Sequence, residues 1–164
     1  MRDNRRNCRP FVLVYMVKLN LPPFNFELKH DQDKILIFDL LRKRYVVLTP
    51  EEWVRQHFIN YLINHLNYPK ALIKVEGGLL FNKLQKRSDI VVFSREGNPW
   101  MIVECKSPDL KLSQRTVHQA STYNYSLKAK YLVITNGLGH ICCETDWDSA
   151  KTKVLDKMPT YLST

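Results

Sequence analysis

Three ionisable side chains stand at the ends of two apolar runs, where they could carry out chemistry. Asp89 opens the run DIVVF, and Glu104 and Lys106 close the run WMIVECK, with fourteen residues between the two acids. Charged groups at the ends of buried strands cost free energy unless they bind a partner. Because alternate side chains of a strand share a face, Glu104 and Lys106 should point the same way, while Cys105 points into the opposite layer.

Two carboxylates and a carbonyl oxygen could hold a metal ion at this place. If the strand of Asp89 runs antiparallel beside the strand of Glu104, the two carboxylates converge, and the backbone carbonyl of Cys105 adds a third oxygen. Oxygen ligands of this kind suit a hard divalent cation. The alternative is a plain ion pair between Glu104 and Lys106 at an exposed strand end.

The order Asp89, Glu104, Lys106 resembles the D-x(n)-E-x-K signature of the PD-(D/E)XK nuclease superfamily. Ser88 stands where the name-giving proline of that signature would be. Four stretches are more specifically similar to the N-terminal nuclease domain of type I restriction enzyme R subunits, in a short stand-alone form: LTPEEWVRQHFINYL, RSDIVVF, VECKSPD and YLVITNG. The similarity covers roughly residues 18–144. It implies an α/β restriction endonuclease-like fold.

The resemblance also implies a metal-dependent deoxyribonuclease with a defined set of site residues. It makes Asp89 and Glu104 the Mg2+ ligands, with Mn2+ able to substitute, and Lys106 the residue that orients and polarises the attacking water. The superfamily often adds a glutamate from the first helix. Glu51 is the candidate, because at 100° per residue it lies in line with the apolar stripe of that helix, whereas Glu52 lies at the stripe's edge and can cap the helix.

Two further pairs of residues are candidates for DNA binding. Gln119 and Tyr123 form a Q-x3-Y motif and share a helix face, and the resemblance implies that they position the DNA backbone. Taken alone, Tyr123 is also consistent with a core aromatic residue. Lys111 and Arg115 follow the proposed site in sequence and could bind phosphates, although an ordinary solvated charged face would have the same pattern.

The elements that must position these residues have an α/β pattern. Two β-rich runs predict an N-terminal hairpin, at 34–39 and 45–49. Thr49, Pro50 and Glu52 predict the start of a helix that continues to about Leu66, and its apolar residues should face a sheet.

A central mixed sheet of about five strands, flanked by helices, should follow the first helix. Its strands are expected at 71–76, 89–93, 100–105, 131–135 and 140–144. The stretch 113–128 has no Gly or Pro and predicts a second helix. The first three of these strands should form a meander, and the second helix should be a crossover connection.

The composition fits one ordinary domain with a basic surplus. The chain has 164 residues, of which 45% are hydrophobic and 25% charged, which excludes disordered and low-complexity classes. The net charge of +9 predicts a polyanionic partner such as DNA. No apolar run reaches the ~18 to 20 residues of a membrane span. The four cysteines lack zinc or disulfide spacing, which favours a reducing cytoplasmic location.

The domain organisation follows from these patterns. Residues 1–17 are expected to be a loose arm or an extended gene start, since Met16 offers a second start. Residues 18–147 form the nuclease-like domain, and residues 148–164 a C-terminal tail.

Two partners and two rival functions stay open. The sequence has no G-x4-G-K-[ST] motif, so ATP is not implied, and a separately encoded motor or specificity subunit is a possible partner. A homodimer is expected if both DNA strands are cut, because each site cuts one strand. The rivals are a non-catalytic DNA-binding adaptor of the same fold and a repair nuclease acting on DNA ends or junctions.

Overall fold

A computed structural model describes residues 16–75 and 89–161 of the chain. Most of the expected N-terminal arm, and Ser88, therefore lie outside the described residues. The elements are, in chain order, β1 (Leu28–Asp31), β2 (Lys34–Asp39), β3 (Arg44–Val47), α1 (Pro50–Asn64), a short 3-10 helix (Lys70–Leu72), β4 (Ile73–Val75), β5 (Ile90–Phe93), β6 (Pro99–Cys105), α2 (Gln114–Leu127), β7 (Tyr131–Thr135), β8 (His140–Asp146) and β9 (Lys151–Leu155).

The central sheet is mixed, as predicted, and has six described strands. Their order is β4-β5-β6-β7-β8-β9. β4, β5 and β6 form the expected antiparallel meander, and α2 is the crossover between the parallel neighbours β6 and β7. The predicted hairpin of β2 and β3 is part of a separate three-stranded antiparallel sheet, in which β1 pairs with β2. These elements confirm the mixed α/β class.

Both helices begin at caps that the sequence provides. The hydroxyl of Thr49 accepts a hydrogen bond from the Glu52 backbone N–H at 3.0 Å, and Pro50 is the first residue of α1. Ser113 caps α2 in the same way, and Lys128 ends it in the left-handed conformation. None of the helices in the described ranges is long and apolar enough to cross a membrane.

Two apolar clusters cover the two faces of the central sheet. One cluster joins α1 and the three-stranded sheet to one face, through Val54 and Ile37. The other packs α2 on the opposite face, through Ala120 and Leu127. Because successive strand residues point to opposite faces, the neighbours Cys142 and Cys143 of β8 lie in different clusters. The fold is therefore a sheet between two helical layers.

The expected tail over 148–164 contains a strand instead. β9 extends the sheet by pairing with β8, from Cys142 opposite Leu155 to Asp146 opposite Lys151. The following residues pack back on the core, where the Tyr161 N–H donates to the Leu66 carbonyl at 2.8 Å. β9 is exposed over most of its length, so its residues show no apolar alternation from which a strand could be predicted.

Gly137, in the turn between β7 and β8, should be the less replaceable of two left-handed glycines. Its φ is +80°, and an added Cβ would lie 2.7 Å from Leu19 Cδ2 and 3.1 Å from Val54 Cγ2. Gly97 has a φ of +84° with nothing within 4 Å of such a Cβ. We expect Gly97→Ala to cost about 1 kcal/mol from backbone strain, and Gly137→Ala about 2 to 4 kcal/mol from strain plus overpacking. Urea denaturation measures both, and equal losses would contradict the packing argument.

Candidate functional site

The candidate site lies where Asp89, the residue immediately before β5, is adjacent to the end of β6. In the antiparallel register Ile90 is opposite Val103, so the next step brings Asp89 beside Glu104. This is the arrangement on which the predicted convergence of two carboxylates depends. Both side chains are largely buried, with 13% of Asp89 and 28% of Glu104 exposed, so solvent screens their charges only in part.

Within the part of the chain that the structure describes, each oxygen of Asp89 has one contact. Its Oδ2 accepts a hydrogen bond from the backbone N–H of Cys105 at 2.7 Å, which ties the carboxylate to the end of β6. Its Oδ1 accepts from Nη2 of Arg55 at 2.5 Å. The side chain therefore has a set orientation, with Oδ2 toward the strand and Oδ1 toward helix α1.

Glu104 and Lys106 lie on the same face and contact each other. The Lys106 ammonium donates to Glu104 Oε1 at 2.7 Å. Burial would lower the pKa of Lys106, but this contact outweighs burial and raises the pKa, so Lys106 is a cation and a hydrogen-bond donor at neutral pH. Between them the side chain of Cys105 points into the core with no exposed surface, and burial raises the pKa of its thiol. The expected metal ligand of Cys105 is its backbone carbonyl oxygen, since the thiol is buried in the core.

Glu51 comes to the site from the first turn of α1. Burial is the main cause that raises its pKa, and the negative charge of Asp89 raises it further. The pKa of Glu104 is raised by burial first, and then by the charges of Asp89 and Glu51. The negative charges of the three carboxylates therefore repel one another, and a cation among them would reduce this repulsion. Helix phase placed Glu51 in the sheet-facing stripe, but its side chain is 43% exposed while Glu52 is buried, so the choice of Glu51 stays a prediction.

Glu52 has a different role from the one that helix phase suggested. Its backbone N–H takes part in the cap, but its carboxylate is buried and binds other side chains. Oε1 accepts from Arg42 Nη2 and from Gln56 Nε2, each at 2.7 Å, and Oε2 accepts from Arg55. Glu52 is thus an ion-pair partner inside the protein.

Arg55 is the site residue that the sequence reasoning missed. Its guanidinium pairs with Glu52, with Glu51 Oε1 at 3.0 Å and with Asp89 Oδ1 at 2.5 Å. Burial would lower the pKa of Arg55, but Asp89 and Glu52 outweigh burial and raise it, so the charge is permanent. The i, i+3 and i, i+4 spacing from the two glutamates was a signal for the helical pairs. The long-range contact with Asp89 had no signal in the sequence.

The donor set at this site has the chemistry that Mg2+ requires. Glu51, Asp89 and Glu104 offer carboxylate oxygens, and Cys105 offers a carbonyl. Within residues 16–75 and 89–161, no three acidic, histidine or cysteine side chains already lie in a metal-holding arrangement. The carboxylate oxygens are paired with Arg55 and Lys106 instead. The ligand types fit a divalent cation, and binding requires an exchange of partners.

The predicted DNA-binding residues lie on and before α2, which covers the face of the sheet to which Glu104 belongs. Gln119 is exposed, and Tyr123 is half-buried against the apolar cluster under α2. Lys111 and Arg115 are exposed, in the segment that leads from β6 into the first turn of α2. Because β6 ends at the site, this segment begins at the same end of the sheet.

Replacing Glu104 by its neutral isostere should stabilise the metal-free protein. The raised pKa of Glu104 means that its charged form is disfavoured in the folded state. We expect Glu104→Gln to raise the free energy of unfolding at pH 7 by up to about 1 kcal/mol, because the neutral amide avoids the cost of the buried charge. The gain should shrink as the pH falls through the raised pKa, and vanish below the ordinary value of 4.5.

Glu144 is the matched control for this prediction, measured by chemical denaturation across pH. It also pairs with a lysine, at 2.9 Å from Lys153, but this contact lowers its pKa. Glu144→Gln should therefore lower stability at neutral pH, and the loss should disappear on acidification. A destabilised Glu104→Gln would show that the Glu104 and Lys106 pair is an ordinary structural ion pair.

Comparison with known proteins identifies the family to which the chain belongs. Residues 50–159 match the family described as "type I restriction enzyme R protein N terminus". Among solved structures, a fragment of a putative HsdR subunit of a type I restriction enzyme from Vibrio vulnificus YJ016 is 28% identical, with a TM-score of 0.36. That match covers 54% of this chain and 16% of the Vibrio chain. No curated protein matches. Since the family match spans more than half of the sequence, the chain belongs to the family of type I restriction enzyme R protein N-terminal domains.

Proposed function

We propose that the protein is a Mg2+-dependent DNA nuclease of the PD-(D/E)XK type, with the site built from Asp89, Glu104, Lys106 and Glu51. The observation that carries the proposal is that Asp89 and Glu104 lie side by side where β5 begins and β6 ends, with Lys106 bonded to Glu104 and Glu51 linked to Asp89 through Arg55. Membership in the R protein family supports the same conclusion from an independent direction. The reaction is hydrolysis of a phosphodiester bond.

Each side chain has a distinct task in this proposal. Asp89, Glu104 and Glu51, with the Cys105 carbonyl, would hold Mg2+, and the bound ion would supply positive charge to offset the negative charge that builds on the phosphate. Lys106 donates a hydrogen bond to the attacking water and orients it toward phosphorus. Its raised pKa keeps it protonated, so it acts as a donor and electrostatic stabiliser rather than as a base.

The DNA backbone is proposed to run along the start of α2. Lys111 and Arg115 are exposed cations in the segment that leads away from the site, and each phosphate contact would release counterions. Gln119 and Tyr123 would position the strand from the same helix. A separately encoded motor or specificity subunit is a partner consistent with the R protein family, and two copies would be needed to cut both strands of a duplex.

Cleavage should depend on Asp89 and Lys106, and on a divalent metal. We expect wild-type protein to cut supercoiled plasmid with Mg2+ or Mn2+ and to stop cutting in EDTA. Asp89→Asn and Lys106→Ala should each lower the rate at least about 100-fold, because each removes charge stabilisation from the transition state. Gel assays on plasmid and on single-stranded DNA measure the rates.

Lys153→Ala is the matched control for Lys106→Ala. Lys153 also pairs with a glutamate, Glu144, but at the opposite end of the central sheet. This variant should cut at the wild-type rate. A folded wild-type protein that binds DNA and does not cut it would favour the adaptor function, and a protein that neither cuts nor binds would refute both functions.

DNA affinity should depend on Lys111 and Arg115 together. Because each lost phosphate contact lowers the salt slope by about 0.9 on duplex DNA, the double alanine variant should lower the slope of log K against log salt by about 2. Fluorescence anisotropy with a duplex oligonucleotide measures it. The double variant Lys151→Ala and Lys153→Ala has the same change of net charge on β9, and its slope should stay close to wild type. Equal losses in both double variants would mean that the binding surface is not at α2.

A further inference from the structure

The guanidinium of Arg55 occupies the place between the carboxylates where a cation is needed. The residue is 5% exposed. Its Nη2 lies 2.5 Å from Asp89 Oδ1 and 3.0 Å from Glu51 Oε1, and its Nη1 binds Glu52. One nitrogen thus bridges two of the acids assigned to the metal.

The two oxygens of Asp89 have unequal freedom to bind a metal ion. Oδ2 accepts the Cys105 backbone N–H, and this bond belongs to the sheet end and cannot be exchanged without moving β6. Among the described residues, Oδ1 is held by a side chain, that of Arg55. A metal ion that binds Oδ1 therefore meets Arg55, also a cation, at the same oxygen.

From this geometry we propose that Arg55 is a positioning residue that acts as an internal substitute for the metal, and that Mg2+ must displace it from Asp89 Oδ1. The inference rests on the proposed function, since it concerns the same site. Before the ion binds, Arg55 holds Asp89 and Glu51 together against their mutual repulsion. When the ion binds, Arg55 keeps its bond to Glu52 and yields Asp89.

The proposal predicts opposite effects of one substitution on folding and on metal affinity. Arg55→Gln leaves buried carboxylates without their cation, so we expect the melting temperature without metal to fall by roughly 5 to 15 °C. The same variant no longer competes for Asp89, so its Kd for Mg2+ should be at least about tenfold lower than that of the wild type. A purely structural arginine would give the first effect without the second.

Arg42→Gln is the matched control, because Arg42 belongs to the same buried network but binds Asp39 and Glu52. It should also lower the melting temperature, and its Mg2+ affinity should stay within about twofold of the wild type. Arg55→Lys keeps the positive charge, so its Mg2+ affinity should be close to wild type. Calorimetric titration of the full chain with MgCl2 measures all four proteins.

A measurement on wild-type protein covers the case in which Arg55→Gln does not fold. The side-chain Nε–Hε NMR signal of Arg55, assigned by its loss in Arg55→Lys, should shift when MgCl2 is added, while the signal of Arg42 stays in place. An unchanged Arg55 signal at saturating Mg2+ would overturn the inference, as would equal or weaker Mg2+ binding by folded Arg55→Gln. If either result came with metal-dependent cutting by the wild type, the inference about Arg55 would fail and the proposed nuclease function would remain. If neither the wild type nor Arg55→Gln bound Mg2+, both the inference about Arg55 and the proposed nuclease function would be overturned.

Discussion

A chain of buried ion pairs connects the parts of this protein and determines how the rest can be arranged. It runs from the turn after β2 through helix α1 to the end of β6, by way of Asp39, Arg42, Glu52, Arg55 and Asp89. Removing charges from water is costly, and the cost is recovered only when every member has its partner. The three-stranded sheet, α1 and the central sheet must therefore keep one mutual position, and the last member of the chain is a proposed catalytic residue.

The site at the end of this chain differs from the network that supports it. The Asp39 carboxylate accepts hydrogen bonds from the backbone N–H groups of Leu41 and Arg42 and from the side chains of Arg42 and Gln56. These partners outweigh burial and lower the pKa of Asp39. Glu51 and Glu104 have raised pKa values, because burial and neighbouring acids disfavour their charges. The ionised form of Asp39 therefore stabilises the folded protein, whereas the ionised forms of Glu51 and Glu104 destabilise it. This contrast is typical of a functional site placed on a rigid scaffold.

Local signals predicted the parts of the fold that depend on local chemistry. Thr49 and Ser113 mark the caps of both helices, and the apolar run of β7 was assigned with its observed bounds. The misses depend on distant contacts. β1 and β9 are exposed strands whose residues carry no alternating pattern, so only their pairing partners define them. For the site, strand ends located Asp89 and Glu104, but the contact between Arg55 and Asp89 joins residues 34 positions apart.

If the site holds Mg2+ and cuts DNA as proposed, its charges favour binding of the metal before the phosphate. The connected network has five carboxylates, of Asp39, Glu51, Glu52, Asp89 and Glu104, and three cations, Arg42, Arg55 and Lys106, so its formal charge without metal is −2. A DNA phosphate is repelled by such a site, at short range and with little screening. In the proposed function, one Mg2+ would bring this formal charge to zero. The exposed cations Lys111 and Arg115 would attract DNA without metal, and the scissile phosphate would enter once the ion had offset the negative charge of the site.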